Sequence, residues 1–209
     1  MKRWRNPAKP VLKGLSSRSN NSPPRQTTTA NNRKKHGDGL RTQHSSEILH
    51  PMKHTLQPGD IAPDFHATAV GAPHGEGQSI SLSSLHGKSV VLYFYPKDDT
   101  PGCTRQACGV RDNHASILAK GALIYGVSID SPATHTKFIA KHQLPFPLLS
   151  DESRAIVEAY GVWVEKSMYG KKYMGTERTT FVIGPDGLIR AIHRKISPAD
   201  HVPTILKDL

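Results

Sequence analysis

The sequence predicts an α/β sandwich: a mixed sheet with helices on both faces, preceded by a disordered basic tail. Three observations predict it. The runs 89–95 and 122–129 are apolar and rich in β-branched and aromatic residues, and both are too short and continuous for amphipathic helices, so they read as buried strands. Segments carrying helix-start signals alternate with them. The pattern closes on two strand-like runs, 179–183 and 188–192, joined by Gly184-Pro185-Asp186-Gly187, which is a hairpin. Strands alternating with helices must bury both sheet faces, and a sandwich does so.

Charge marks the tail. The 209-residue chain carries a net charge of +11. Residues 1–53 hold 12 Lys/Arg against 2 Asp/Glu, which leaves 16 against 15 for the remainder. The expected division is therefore a basic N-terminal extension, 1–54, and one domain, 55–209. The extension is rich in Ser, Thr, Asn and Pro and has no apolar periodicity, so it cannot bury enough surface to offset the entropy of ordering. Four readings of it stand: a start of translation at Met52, a solvated extension without a role, an Arg- and Ser-rich organelle-targeting segment, and an electrostatic arm for nucleic acid centred on Arg33-Lys34-Lys35. Nucleic acid is the weakest of these. No stretch approaches the ~20 apolar residues of a membrane span.

Each domain element has its own signal. Leu56 to Phe65 is a Gly- and Pro-punctuated entry. Ser79 to Leu82 alternates and reads as a short strand, followed by a turn at 83–87. Asp130-Ser131-Pro132 opens a helix running to about His142, with Pro near its first position. His74, His86, His135 and His142 read as surface histidines. Pro145 to Leu149 leads to Ser150-Asp151-Glu152, a helix start, and Gly161 ends the short helix 155–160. Residues 162–173 read as a loop whose Trp163 covers the core. Ser197 is the expected cap of a final helix, 197–209.

The chemistry concentrates between Pro96 and Asp112. Pro96 stops the strand because it cannot donate a ladder hydrogen bond. Pro101-Gly102 turns the chain, so Cys103 falls in the first turn of a helix. Free N–H groups and the positive end of the helix dipole favour a thiolate there, and Thr100 can offer its hydroxyl to a bound oxygen atom. The chain has two cysteines, Cys103 and Cys108. Five positions apart on an α-helix, their Cα atoms lie roughly 8.6 Å apart, beyond the ~7 Å limit for a disulfide. The pair reads as an attacking and a resolving thiol that can meet only if the helix unwinds. Two buried apolar cysteines are the bland alternative. C-x4-C without paired histidines argues against a metal.

Pro96-x3-Thr100-x2-Cys103 resembles the peroxidatic-cysteine signature of peroxiredoxins. The longer string from Tyr93 to Thr104, with Ala107-Cys108-Gly109 and Arg111-Asp112, looks like the bacterioferritin-comigratory or Q-type subfamily, and the similarity extends from about Leu56 to Leu209. The resemblance implies a thioredoxin-like fold and a thioredoxin-dependent peroxidase acting on hydrogen peroxide and organic hydroperoxides. It implies that Cys103 forms a sulfenic acid, that Cys108 resolves it into an intramolecular disulfide, and that Pro96 positions substrate. It also turns Arg178, a surface residue by composition alone, into the active-site arginine. No metal or organic cofactor is implied, and a monomer is; two cysteines in such a redox setting suit a reducing, cytoplasmic compartment. Two other functions compete: a thioredoxin-type disulfide oxidoreductase, disfavoured by the C-x4-C spacing and Thr100, and a redox-sensing protein with a nucleic-acid-binding arm.

Overall fold

The structure, a computed structural model, describes residues 55–168 and 170–209. The expected tail, 1–54, lies outside the described residues, and so do the four readings of it. Among the described residues no helix is long and apolar enough to cross a membrane.

β1 (His66–Gly71) and β2 (Gly75–Ser81) form an antiparallel hairpin. The sequence signal reaches only the end of β2. β1 escapes it because two of the three side chains it buries are the small Ala67 and Ala69, and only Val70 brings the bulk that marks a strand. β3 (Ser89–Phe94), α1 (Pro101–Ala119), β4 (Ala122–Ser128), α2 (Pro132–His142) and β5 (Leu148–Ser150) then follow in strand–helix alternation. β8 (Thr179–Ile183) and β9 (Ile189–Arg194) form the closing hairpin before α4 (His201–Asp208).

The seven-stranded sheet runs β2-β1-β5-β4-β3-β8-β9. β4 lies parallel to β3 and β5, and the other four pairings are antiparallel, so the sheet is mixed as expected. β3 sits between β4 and β8 and is buried on both faces. Its Val90, Leu92 and Phe94 pack with Ile156 and Val157 of α3 (Ala155–Ala159). Its Val91 and Tyr93 point the other way, onto Ala107, Val110 and Ile117 of α1, Phe138 of α2, and Val202 and Ile205 of α4. That two-sided burial explains the unbroken apolar run: alternation disappears when both faces are covered.

Three expectations need correction. Residues 162–173 are not a loop. β6 (Trp163–Met168) and β7 (Lys171–Thr176) form a separate two-stranded hairpin. Its Lys171 to Met174 are exposed, so no core imposes an apolar stripe for a sequence reading to find. Trp163 does pack against the core, with the Arg154 guanidinium 5.5 Å from its ring. The last helix starts at His201, not Ser197, because the Ser197 hydroxyl closes a local turn instead, donating to Asp200 Oδ2 at 2.7 Å and accepting from the Asp200 N–H at 3.2 Å. His135 is not on the surface. It is fully buried, and both ring nitrogens are engaged.

Candidate active site

The loop from β3 to α1 follows its punctuation. Pro96 comes two residues after the strand. Asp99 then takes a left-handed backbone, φ 55°, which lets the chain reverse within the loop. Thr100 is the extended N-cap residue and Pro101 the first helical residue, its fixed φ suited to that place. Cys103 is thus the third residue of α1. The Thr104 N–H makes the first rung of the helix ladder, to Thr100 O at 2.8 Å, so the N–H groups of Gly102 and Cys103 come before the ladder begins. Thr100 does not cap them. Its hydroxyl donates to Lys97 O at 3.1 Å. It is therefore an acceptor toward anything bound above Cys103, unless it gives up that bond.

Cys103 is 2 % exposed. Its Sγ accepts a hydrogen bond from Arg178 Nη2 at 3.3 Å, and the other arm of that guanidinium, Nη1, donates to Gln106 Oε1. Strand register explains the meeting. β8 pairs with β3 with Thr179 opposite Phe94, so Arg178, one residue earlier, comes level with the end of β3, where the loop to Cys103 leaves the sheet. Gln106 was missed by sequence reasoning although a signal existed. It lies three residues after Cys103, on the same helix face. Cys108 is half-buried further along α1, and both thiols are free.

The ground beneath the site is neutral. Tyr93 stacks on Tyr95 with centroids 5.5 Å apart and meets the His201 ring edge-on at 5.3 Å. Burial pushes the Tyr93 phenol well up, with Asp98 and Cys103 adding to the shift. Burial, helped by the charge of Arg178, pushes the His201 imidazole down to about 3, and its Nε2 bonds the Thr180 hydroxyl at 2.9 Å. Neither group carries charge near neutral pH, so the Arg178 guanidinium is the fixed charge against the sulfur.

On its far side Arg178 borders an open cavity of 740 Å³, lined also by Val164, Lys166, Tyr173, Lys195 and Pro198. The unforeseen β6–β7 hairpin supplies one wall. Lys166 reaches across it to donate to Thr176 O at 2.5 Å, and burial holds its ammonium below the usual lysine range. A buried sulfur, a forked cation locked on it and two ladder-free N–H groups can together hold an anion, or a bond breaking toward one.

Comparison with known proteins agrees with this geometry. The model of the AhpC/TSA family matches residues 58–192. Peroxiredoxin Bcp of Bacillus subtilis is 46% identical over 155 residues, covering 74% of this chain and 96% of the relative. The solved structure of Xanthomonas campestris peroxiredoxin Q, structure F4, superposes with a TM-score of 0.66 at 35% identity, over 74% of this chain and 95% of that one. A structure described for the alkyl peroxide reduction activity of Xanthomonas campestris bacterioferritin comigratory protein gives a TM-score of 0.63 at 36% identity, over 68% and 88%.

Proposed function

This chain belongs to the AhpC/TSA family and is one of its peroxiredoxins, which are thiol peroxidases, and on that premise we propose that Cys103 is the peroxidatic nucleophile and Cys108 the thiol that resolves it. The single observation that supports this most is the Arg178 guanidinium on the Cys103 sulfur at 3.3 Å.

The Cys103 thiolate attacks the hydrogen-bearing oxygen of a hydroperoxide. The new S–O bond forms as the O–O bond breaks, and both electrons of that bond leave with the departing oxygen. That oxygen takes a proton from solvent and departs as water or an alcohol, and Cys103 is left as a sulfenic acid. Arg178 and the N–H groups of Gly102 and Cys103 stabilise the growing charge. The Thr100 oxygen accepts the peroxide's O–H, and Pro96 shapes the turn behind it. The Cys108 thiolate then attacks the Cys103 sulfur and expels the hydroxyl as hydroxide, which takes a proton from solvent and leaves as water, giving an intramolecular disulfide. On an intact helix the two Cα atoms stand roughly 8.6 Å apart, so α1 must unwind between them. A thioredoxin-like dithiol protein returns both thiols by exchange. Residues 55–209 form the catalytic domain, which acts as a monomer because both cysteines lie in one chain, and its free thiols suit a reducing compartment such as the cytoplasm.

Stopped-flow peroxide consumption tests the assignment. Cys103→Ser is expected to abolish turnover. Cys108→Ser is expected to keep one stoichiometric oxidation and then stop. Turnover by Cys103→Ser at the parent rate overturns it.

A further inference from the structure

Asp98 and His135 take no part in the steps above, yet they are among the most deeply buried polar residues of the domain, with side chains 1% and 0% exposed. They lie 37 positions apart, one in the turn before Cys103 and one in the first half of α2. His135 Nε2 is 3.2 Å from Leu149 O, and a carbonyl can only accept, so Nε2 carries a hydrogen. His135 Nδ1 is 2.7 Å from Asp98 Oδ2, and that contact needs one more proton, shared by the pair. Asp98 Oδ1 accepts from the Tyr95 hydroxyl at 2.6 Å. The Asp98 N–H donates to Asp130 Oδ2 at 2.8 Å, an oxygen that also accepts from the Ser128 hydroxyl at 2.8 Å. Both carboxylate oxygens and the amide of Asp98 are thus held, by groups from β3's end, the β4–α2 junction and α2.

We infer that the buried Asp98–His135 pair is a positioning element for the peroxide step, setting the height of the turn 96–100 against α2 and thereby the places of Pro96 and Thr100 above Cys103. The inference rests on the reading of Cys103 given above. Asp98 is two residues from Pro96 and two from Thr100, so neither can shift far while Asp98 is pinned. A second tie exists, from Asp99 to Lys141 at 2.6 Å and His142 at 3.1 Å, but Asp99 and Lys141 are about half exposed. Exposed pairs hold little. A buried pair resists separation strongly, because breaking it strands an uncompensated group.

The test measures Cys103 oxidation and the later disulfide formation separately by stopped-flow, together with Tm, in the full chain. Asp98→Asn and His135→Gln are each expected to slow Cys103 oxidation about 10- to 100-fold, the scale of a misplacement near 1 Å, while leaving the rate of disulfide formation unchanged. The double variant Asp98→Ala with His135→Leu replaces the pair by apolar groups, which restores packing. It is expected to recover Tm but not the oxidation rate, and it carries the test if a single variant does not fold. Parent-like oxidation in the single variants, or an oxidation rate that recovers along with Tm in the double variant, overturns the inference in favour of a structural tie. Normal turnover by Cys103→Ser instead overturns the underlying assignment of Cys103.

Discussion

Arg178 grips Cys103 across a sequence gap of 75 residues, Nη2 to Sγ at 3.3 Å, and its second arm is anchored on Gln106 one turn along the same helix. The two bonds use the planar fork of the guanidinium, so the charge is fixed in direction as well as in place. A lysine here keeps the charge and loses the fork. Arg178→Lys is expected to slow Cys103 oxidation about 10²-fold, the usual cost of one misplaced donor at a developing anion, with disulfide formation unaffected. Single-turnover kinetics with excess peroxide read this directly. A parent-like rate means that charge alone suffices.

His201 ties stability to pH. Its folded value is near 3 against an ordinary 6.5, with burial the main cause. The unfolded chain therefore binds a proton between those limits that the folded chain refuses. The stability linked to His201 is fully present above pH 6.5 and is lost as pH falls toward 3, with a slope approaching about 1.4 kcal/mol per pH unit. His201→Gln cannot titrate and can still hydrogen-bond the Thr180 hydroxyl. Urea denaturation across this range is expected to show an acid limb shallower than the parent's by nearly one proton, and parallel limbs would contradict it.

What could be read in advance followed local rules. Pro96, Pro101 and the two-sided apolar run of β3 place Cys103 at a strand-to-helix junction on elementary grounds, and the structure puts it third in α1. What could not be read depends on partners distant in sequence. His135 sits in an ordinary amphipathic helix, and only its partners across the fold, Asp98 and the Leu149 carbonyl, account for its burial. Lys171 to Met174 of the β6–β7 hairpin meet no core that would write a pattern into them. Resemblance alone points to Arg178, since nothing before it in sequence says that β8 will lie beside β3. Asp151 is an intermediate case. It belongs to the helix-start signal 150–152, and its carboxylate does accept from the Ile156 and Val157 N–H groups at 3.0 and 2.8 Å, although α3 begins only at Ala155.

Gly126 is required by a side chain on the neighbouring strand. It faces Tyr93 in register, and a Cβ there would lie 2.6 Å from the Tyr93 hydroxyl oxygen and 2.7 Å from Leu148 Cδ2. Gly126→Ala is expected to cost about 1–3 kcal/mol through overpacking. Among the described residues the Tyr93 hydroxyl has no hydrogen-bond partner, so Tyr93→Phe alone is expected to be neutral or stabilising. Adding Tyr93→Phe to Gly126→Ala recovers part of the loss but not all, because the contacts with Leu148 Cδ2 and with the ring Cζ at residue 93, both at 2.7 Å, remain. Calorimetric Tm values of the three variants test the ordering, and full additivity would show that the two residues do not compete for the same space.

Gly109 bears on the unwinding proposed to bring Cys108 to Cys103. It follows Cys108 within α1, and a Cβ there would meet Val202 Cγ2 at 3.8 Å, an ordinary contact. Alanine therefore fits the folded helix and stabilises it by up to about 1 kcal/mol over glycine. If the disulfide forms only after this part of α1 opens, that gain is added to the barrier for opening, and 1 kcal/mol corresponds to about fivefold in rate. Gly109→Ala is expected to slow disulfide formation by about that factor, raise Tm slightly and leave Cys103 oxidation unchanged. The sulfenic acid then lives longer, so excess peroxide should convert more of it to sulfinic acid, visible as a gain of one further oxygen in the intact mass. A raised Tm with disulfide formation at the parent rate would mean that the unwinding stops short of Gly109.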